Sequence, residues 1–591
     1  MINQQIAKIF SEIADILEIK GENPFRVRAY QRAAQIIGGL PKDVSMMTEK
    51  EVLEIPRIGK DLAGKIHQYI ETGKIEAYDE LKKEMPEGFT ALLSVPGLGP
   101  KTAKLLYERL KITNIDELEF LAREHKLSGL PGIKDKTEEN ILKGIEMVRR
   151  GKERLPLGRV LPIAEEIIGE MQKRNAPVNE IALAGSLRRW KETIKDIDIL
   201  ATSENPEKTM HVFIHLPQVK EVVMHGPTKS SVVTTEGIQV DLRVVEEGSF
   251  GAALAYFTGS KAHNIRVREM AVKAGLKINE YGIFRGTDNK RLGGEREQDV
   301  YTLLGLPYIP PELREDTGEI EAALEGRLPD LIELKDIRGD LHVHTKRSDG
   351  NHTIEELIKA ARERGYEYIA ITDHTKGLGV ARGLNEERLL EEVMEIREIN
   401  RRMNGFRVLT GAEVDIRSDC TLDLPDEVLR ELDVVVASIH SGFRQGRAQL
   451  TKRLLSAIEN PNVTVIAHPT GRLIGERDAY EMDIDEVFRA AGEKGTALEI
   501  NAFPLRLDIS DAFAKKAKEM AIPIIINTDA HLISHLDYMS YGVSIGRRGW
   551  LEKRDVINTL GTKNLIQWLY RARRHLREHN VERGDRRPKS P

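Results

Sequence analysis

The sequence predicts a multidomain protein that joins a helical N-terminal region, an α+β middle and an α/β C-terminal half. Three observations carry this. Apolar residues recur at helical spacing, with short Gly/Pro breaks, over about residues 1–150. From about 180 to 305, β-rich runs alternate with helical stretches. Past Arg338 a second series of short apolar runs appears, nearly every one closed by polar or charged residues, as expected of a parallel (βα) barrel or sheet. The length of 591 residues, at roughly 150 per domain, fits three or four domains.

Composition narrows the class. Hydrophobic residues make up 40% and charged residues 31%, which excludes a disordered acidic tail and a fibrous repeat. The single thiol, Cys420, excludes a disulfide framework and a Cys-built zinc finger, so the expected compartment is the reducing cytoplasm and any metal must use His and carboxylates. There is no apolar run of about 18 residues and no charged-then-apolar leader, so no membrane partner is expected. The net charge of −5 hides a basic tail: residues 571–591 hold eight Lys/Arg against three Asp/Glu, a local +5 that leaves −10 on the rest. A nucleic-acid partner therefore has to be argued from motifs.

In the helical region Ile6, Ile9, Ile13 and Ile16 mark one apolar stripe, and Ala29, Ala33 and Ile36 a second. An internal repeat follows at an offset of 40: Leu53-Glu-Ile-Pro-Arg-Ile-Gly59 with Ala63 and Ile66 matches Leu93-Ser-Val-Pro-Gly97-Leu-Gly99 with Ala103 and Leu106. A third copy, Leu130-Pro-Gly-Ile-Lys134, has Lys in place of the second Gly. Gly97 and Gly99 let the backbone turn tightly and approach a partner, while the helix opened by Pro100-Lys101 offers its N-terminal N–H groups to an anion. Such a unit holds a phosphate without reading a base.

In the middle region Asp196 and Asp198 are separated by one residue, so on a strand both point to one face while Ile197 and Ile199 enter the core. Asp241 can join them from a neighbouring strand. Three converging carboxylates can hold two magnesium ions about 4 Å apart. Upstream, Gly185-Ser186-Leu-Arg188-Arg189 supplies a turn, a hydroxyl and guanidinium groups suited to a triphosphate. The Pro-rich, charged segment from Pro307 to Pro329 then reads as an ordered or semi-rigid connection.

In the C-terminal half His342 and His344 alternate on a strand, with Asp349 in the following loop. His374, Glu413, His440, His468, Asp529 and His531 each follow a predicted strand. Loops after strand ends carry the chemistry in such folds, and a mixed imidazole and carboxylate set suits zinc, manganese or iron(II), whereas magnesium prefers oxygen alone. His352 and His535 are read as solvent-facing. Arg444, Arg447 and Arg472, in loops after His440 and His468, are candidates for holding substrate phosphates.

These motifs carry family resemblances. The glycine repeat resembles the helix-hairpin-helix motif of non-specific DNA-binding proteins, and points to Gly59, Gly97, Gly99 and Lys101 as DNA contacts. Gly185-Ser186, 11 residues before Asp196, resembles the nucleotidyltransferase signature of family X, polymerase beta-like DNA polymerases, and Arg154 and Tyr256-Phe257-Thr-Gly259-Ser-Lys-Ala-His-Asn264 match in order. That resemblance implies metal binding by Asp196, Asp198 and Asp241, with Asp241 assisting deprotonation of the primer hydroxyl. It also implies triphosphate contacts from Gly185, Ser186, Arg189 and Arg154, and sugar and base contacts from Tyr256, Phe257, Gly259 and Asn264. Lys65 matches a lyase lysine, although Asp61 stands where the family usually has a second lysine, and Tyr30 matches a DNA-facing tyrosine. The C-terminal half resembles the polymerase and histidinol phosphatase (PHP) domain, with all nine ligand positions filled. That resemblance implies a distorted (βα)7 barrel and a centre of up to three Zn²⁺, Mn²⁺ or Fe²⁺ ions, beside Mg²⁺ or Mn²⁺ at the polymerase site.

The expected organisation is a DNA-binding helical domain (1–85), a fingers-like helix-hairpin-helix domain (86–150), a nucleotidyltransferase palm (151–255), a thumb-like nucleotide-selection subdomain (256–315), a linker (316–336), a PHP domain (337–572) and a basic tail (573–591). The expected protein is a prokaryotic, cytoplasmic, nucleoid-associated monomer. It fills short gaps in nicked or gapped DNA from dNTPs during base-excision repair, and trims 3′ ends or abasic sites with the PHP domain. The alternative is a PHP phosphoesterase targeted by a non-catalytic DNA-binding half. Two further rivals are a repair scaffold and a small-molecule phosphatase.

Overall fold

The computed structural model describes residues 2–20, 22–38, 44–55, 58–83, 92, 95, 98, 100–127, 129–130, 133, 137–138, 141–142, 145 and 154–570. The first helices, Ile2–Lys20 and Pro24–Gly38, pack antiparallel-hairpin fashion with Glu49–Glu54, Lys60–Thr72 and Glu76–Lys83. Their core is Ile6, Phe10, Ile13 and Leu17 against Val27, Tyr30, Ala33 and Ile37. The second stripe is therefore rotated from the expected one. Ala29 faces solvent, because turning Val27 and Tyr30 inward buries far more apolar area than an alanine. Thr48 starts Glu49–Glu54 with a capping box to Glu51. A second helical cluster gathers Leu92, Leu98, Ala103, Leu106 and Leu118, with helices Pro100–Leu110 and Ile115–Arg123.

The α+β region opens with β1 (Leu155–Pro156), whose antiparallel partner is β3 (Thr193–Ile194). Its main sheet comprises β2 (Val178–Leu183), β4 (Asp196–Ser203), β5 (Val219–His225), β6 (Lys229–Thr234) and β7 (Gln239–Val245), in the order β2-β4-β7-β6-β5. Only β4 and β7 run parallel. Alternation decides the faces: Ile197, Ile199, Val240 and Leu242 are buried, and the acids between them turn to the other side. Helices Phe250–Thr258 and Lys261–Lys273 and a small antiparallel sheet of β8 (Leu276–Asn279), β9 (Gly282–Arg285) and β10 (Arg291–Gly293) follow. The Pro-rich segment beyond is ordered, with Arg314 and Glu319 fully buried.

The C-terminal half is a seven-stranded, all-parallel sheet in sequential order: β11 (Gly339–Val343), β12 (Tyr368–Ile371), β13 (Arg407–Asp415), β14 (Val434–Ser438), β15 (Val465–Ile466), β16 (Ala497–Asn501) and β17 (Ile524–Asn527). A parallel bridge between Val343 and Ala530 brings the ends together, so the sheet is a nearly closed (βα)7 barrel. Its strands are buried on both faces, as continuous apolar runs require. Thr353, Asn385, Asp483 and Ser510 cap outer helices with their side chains. Among the described residues no helix is long and apolar enough to cross a membrane.

Candidate active sites

The register of β4 and β7 sets Asp198 level with Asp241, and Asp196 lies two residues away on the same face. Burial, then the neighbouring charges of Asp196 and Asp241, push Asp198 up to about 7. Lys229 Nζ stands 3.2 Å from Asp241 Oδ2, and Gln239 Nε2 donates to Asp241 Oδ1 at 2.8 Å. The cluster carries more negative charge than these side chains neutralise, and its donors are all oxygen. It fits magnesium or manganese. Gly185 closes the site from one side: its φ is +62° and a Cβ there would overlap Asp198 Oδ2, so no other residue fits without moving the carboxylate.

Around this triad the Gly185–Arg188 turn delivers two arginines with different duties. Arg188 makes a bidentate pair with Glu297, at 2.6 and 2.7 Å, and Arg314 adds a third contact at 2.6 Å. Arg189 donates to Glu315 at 3.1 Å and to the Thr258 carbonyl. Arg154 is anchored on Thr193 through its Oγ1 and carbonyl, within the field of Asp196 and Arg189. Ser186 is half-buried on the same turn. Tyr256 and Phe257 meet edge to face at 5.1 Å, the Arg243 guanidinium lies 4.6 Å from the Phe257 ring, and Asn264 donates to the Tyr256 carbonyl at 2.6 Å. Gly259, at φ +71°, sits against Arg189. All the residues expected to face a nucleotide thus occupy one neighbourhood.

At the mouth of the barrel three groups of ligand atoms converge: His344, Asp349, His374 and His531; His342, His344, Glu413 and Asp529; His374, Glu413 and His440. His344, His374 and Glu413 are shared between groups, so the three form one cage. His468 Nε2 lies 3.0 Å from Glu413 Oε1 and completes the nine. His342 Nε2, both ring nitrogens of His344, His374 Nδ1, Glu413 Oε2 and Asp529 Oδ1 are buried without a hydrogen-bond partner. Yet several approach each other closely, His374 Nδ1 to Glu413 Oε2 at 2.9 Å and His344 Nε2 to Asp529 Oδ1 at 3.1 Å. Near but misaligned donors and acceptors are what ligands of an intervening cation look like, and the nitrogen-oxygen mixture fits zinc, manganese or iron(II). Burial opposes ionisation of Glu413, but His374, His440 and His342 hold it well below the usual carboxylate range. Burial, then His531 and His374, push His344 down to about 4.

The cage has supports that the sequence did not reveal. Glu499, fully buried on β16, places Oε1 2.7 Å from His342 Nδ1 and accepts the His468 backbone N–H on Oε2 at 2.9 Å. Asn527 and Asn501 also donate to it, and Asn501 donates to Asp529 Oδ2 at 3.1 Å. Carboxylates behind metal-facing imidazoles fix the ring and its tautomer. The available signal was an acid inside an otherwise apolar strand, Ala497-Leu-Glu499-Ile-Asn501, which is costly unless partnered.

Other expectations meet different outcomes. Tyr30 is turned inward, 3% exposed and edge-on to Phe10 at 5.6 Å, so its ring serves the helical core rather than DNA. Lys65 pairs with Asp61, and its ammonium lies 5.9 Å from the Tyr30 ring. Gly59 caps helix Lys60–Thr72 with φ −78° and open space where a Cβ would stand. Gly97, Gly99, the Lys101 side chain and the tail 573–591 lie outside the described residues. Arg472 does not face the cage: it grips Glu192 at 2.8 Å and the Arg506 and Leu507 carbonyls. Arg447 pairs with Asp483, while Arg444 is exposed. His352 pairs loosely with Glu356. His535 is half-buried rather than fully solvent-facing: in the turn Ile533–Tyr538 it stacks on Tyr538 at 4.8 Å.

Family profiles described as a helix-hairpin-helix domain, a SAM-like helix-hairpin-helix tandem, a DNA polymerase beta thumb and a PHP domain match residues 1–75, 89–146, 253–315 and 340–503. A probable phosphatase of Thermoanaerobacter sp. (strain X514) is 31% identical over 234 residues, 37% of this chain and 89% of its own. DNA polymerase lambda of Rattus norvegicus is 25% identical over 343 residues, 53% of this chain and 56% of its own. The DNA polymerase/3′-5′ exonuclease PolX of Bacillus subtilis (strain 168) is 40% identical over 573 residues, 97% of this chain and 100% of its own. Identity sustained from one end of the Bacillus protein to the other shows that this chain belongs to the family of the DNA polymerase/3′-5′ exonuclease PolX.

Proposed function

We propose that this protein is a DNA-directed DNA polymerase that fills short gaps in DNA under repair, joined to a metal-dependent 3′-5′ exonuclease that also cleaves beside abasic sites. One observation carries it: a single chain holds three aspartates, Asp196, Asp198 and Asp241, on one face of two paired strands and a separate nitrogen-rich cage at the barrel mouth. Gapped or nicked DNA and dNTPs are the substrates, and the protein acts as a cytoplasmic, nucleoid-associated monomer. Residues 1–85 and 86–150 grip DNA, 151–255 carry synthesis, 256–315 select the nucleotide, 316–336 connect, 337–572 hydrolyse, and the basic tail 573–591 grazes DNA.

In the synthetic site Asp196, Asp198 and Asp241 would hold divalent cations, magnesium or manganese, which would supply charge neutralisation and activation of the attacking hydroxyl. Asp241 takes up the proton of the primer hydroxyl, and its hydrogen bond from Gln239 fixes the accepting carboxylate. Ser186, Arg154 and Arg189 bind the triphosphate, for which Arg189 exchanges its contact with Glu315. Gly185 and Gly259 admit close approach, while Tyr256, Phe257 and Asn264 wall the sugar and base. In the barrel the nine His, Asp and Glu ligands would hold up to three zinc, manganese or iron(II) ions, which would supply Lewis acidity and activation of the attacking water. His342 and Glu413 are held rigid by their buried surroundings, which keeps the cage assembled. Because Asp61 occupies its amine, Lys65 supports a deoxyribose-phosphate lyase only when that pair opens.

The test is a one-nucleotide gapped duplex with Mn²⁺, comparing wild type, Asp196→Ala and His344→Ala. Loss of extension in the first variant alone and of trimming in the second alone is expected. Trimming without templated extension in wild type would favour the targeted phosphoesterase. Borohydride trapping on an incised abasic site, with Lys65→Ala as control, tests the lyase.

A further inference from the structure

The rim of the barrel mouth carries aromatic side chains that the cage does not use. Phe503 follows β16, and His535 and Tyr538 lie in the turn after the Asp529–His531 segment that follows β17. Topology therefore delivers Phe503 to the end of the strand that bears the supports Glu499 and Asn501, and His535 and Tyr538 to the segment after a strand end that bears ligands. His535 and Tyr538 stack at 4.8 Å and 24°, and Phe503 stands 5.7 Å from each at steep angles of 63° and 79°. All three are half-buried, so part of each ring group remains open to solvent.

Each side of this group is tied to the cage through one link. The backbone N–H of His531 donates to His535 Nδ1 at 3.4 Å. The Phe503 N–H donates to Asn501 Oδ1 at 3.0 Å, and the Asn501 amide reaches the ligand Asp529. Arg506, 3.7 Å from Asp529 Oδ2, adds a cation at the same edge. On its other side Tyr538 contacts Tyr541, which meets Trp190 of the α+β region, both at 5.9 Å. Through Tyr541 the ring group thus connects to the polymerase half at Trp190.

We propose that Phe503, His535 and Tyr538, with Arg506 at their edge, form a nucleobase-stacking subsite for single-stranded DNA at its 3′ end. Any base presents a π-face, so aromatic stacking accepts every sequence, as a trimming nuclease must. A paired terminal base has its faces covered by its own helix, whereas a frayed or mismatched one is free to stack. The subsite therefore selects unpaired ends. It deepens the nuclease reading above and rests on it.

The experiment uses the full-length protein with Mn²⁺, a single-stranded oligonucleotide and bis(p-nitrophenyl) phosphate, a diester without a base. Wild type is compared with Phe503→Leu and Tyr538→Leu, and with Phe503→Tyr and Tyr538→Phe, which keep a ring; bound metal is quantified in each. His535 is left alone because its ring accepts the N–H of a ligand. In the leucine variants the oligonucleotide KM rises about 5- to 150-fold, and the ratio of kcat/KM for oligonucleotide over diester falls by that factor. The ring-keeping variants restore the ratio. A parallel fall on both substrates with loss of metal, or an unaltered ratio in the leucine variants, overturns the subsite alone. A wild-type protein that cleaves the diester but no DNA overturns the nuclease reading and the subsite with it.

Discussion

Arg472 Nη2 lies 2.8 Å from Glu192 Oε2, so the loop after β15 of the barrel holds the segment that leads into β3 and β4. A second clasp sits nearby. Arg548 reaches Glu315 at 3.1 Å, Asp511 at 2.7 Å and the Arg189 carbonyl at 2.7 Å. The two clasps differ in burial, and that decides their worth. Glu192 is 37% exposed, so Arg472→Ala costs about 1 kcal/mol. Arg548 is 4% exposed and its loss takes one guanidinium from both Asp511 and the poorly exposed Glu315, which keeps Arg189, so Arg548→Ala costs about 3 kcal/mol. Urea unfolding of the two variants checks the order; equal losses would mean that burial does not set the strength of this junction.

Gly185→Ala tests the cradle of the three-aspartate site. The added methyl demands the place of Asp198 Oδ2 and a φ of +62°, which costs an alanine about 1 kcal/mol or more. Stability therefore drops modestly while nucleotide addition falls at least a hundredfold, and 3′ trimming by the barrel continues. Primer extension and trimming on the same preparation read both effects. Retained synthesis would show that Asp198 tolerates displacement.

Glu499→Gln tests support from behind the metal cage. The glutamine keeps the shape but not the charge 2.7 Å from His342 Nδ1. Affinity of the barrel for its metal is expected to fall about 10- to 100-fold, with synthesis unaffected. Metal titration monitored by atomic emission after dialysis measures it. Unchanged affinity would assign Glu499 to packing alone.

What was legible in the sequence follows from the range of each determinant. Alternation along one strand places Asp196 and Asp198 together, and the position of His440 or His468 after an apolar run places it at a barrel mouth, because both depend on neighbours in the chain. Glu499 was opaque because its partner His342 lies 157 positions earlier, and only strand order brings them together. Tyr30 misleads for a related reason: a tyrosine on a helix suits core and surface alike, and Phe10 across the hairpin decides between them. Arg472 lies close after His468 in sequence, yet the turn at Thr470 and Gly471, pinned by Asp508, sends its side chain to the other half of the molecule.

Glu297 gives the protein an acid limb with a defined sign. Burial alone would raise its pKa, but the Arg188 and Arg314 guanidiniums lower it to about 2. A carboxyl depressed on folding stabilises the native state above its unfolded value near 4.5, and that contribution disappears as pH falls from about 5 towards 2. The shift corresponds to about 3 kcal/mol, in line with the cost of breaking a buried ion pair at a group only 6% exposed. Glu297→Gln is therefore expected to lose about 3 kcal/mol at pH 7 and almost nothing at pH 2, so its stability is flatter than wild type between pH 5 and 2. Because Arg188 is the neighbour of Arg189, the same variant loosens the triphosphate side of the polymerase site and raises the KM for dNTP. Urea unfolding across that pH range, with single-nucleotide incorporation at pH 7, measures both; parallel pH curves for the two proteins would remove Glu297 as the source of the acid limb.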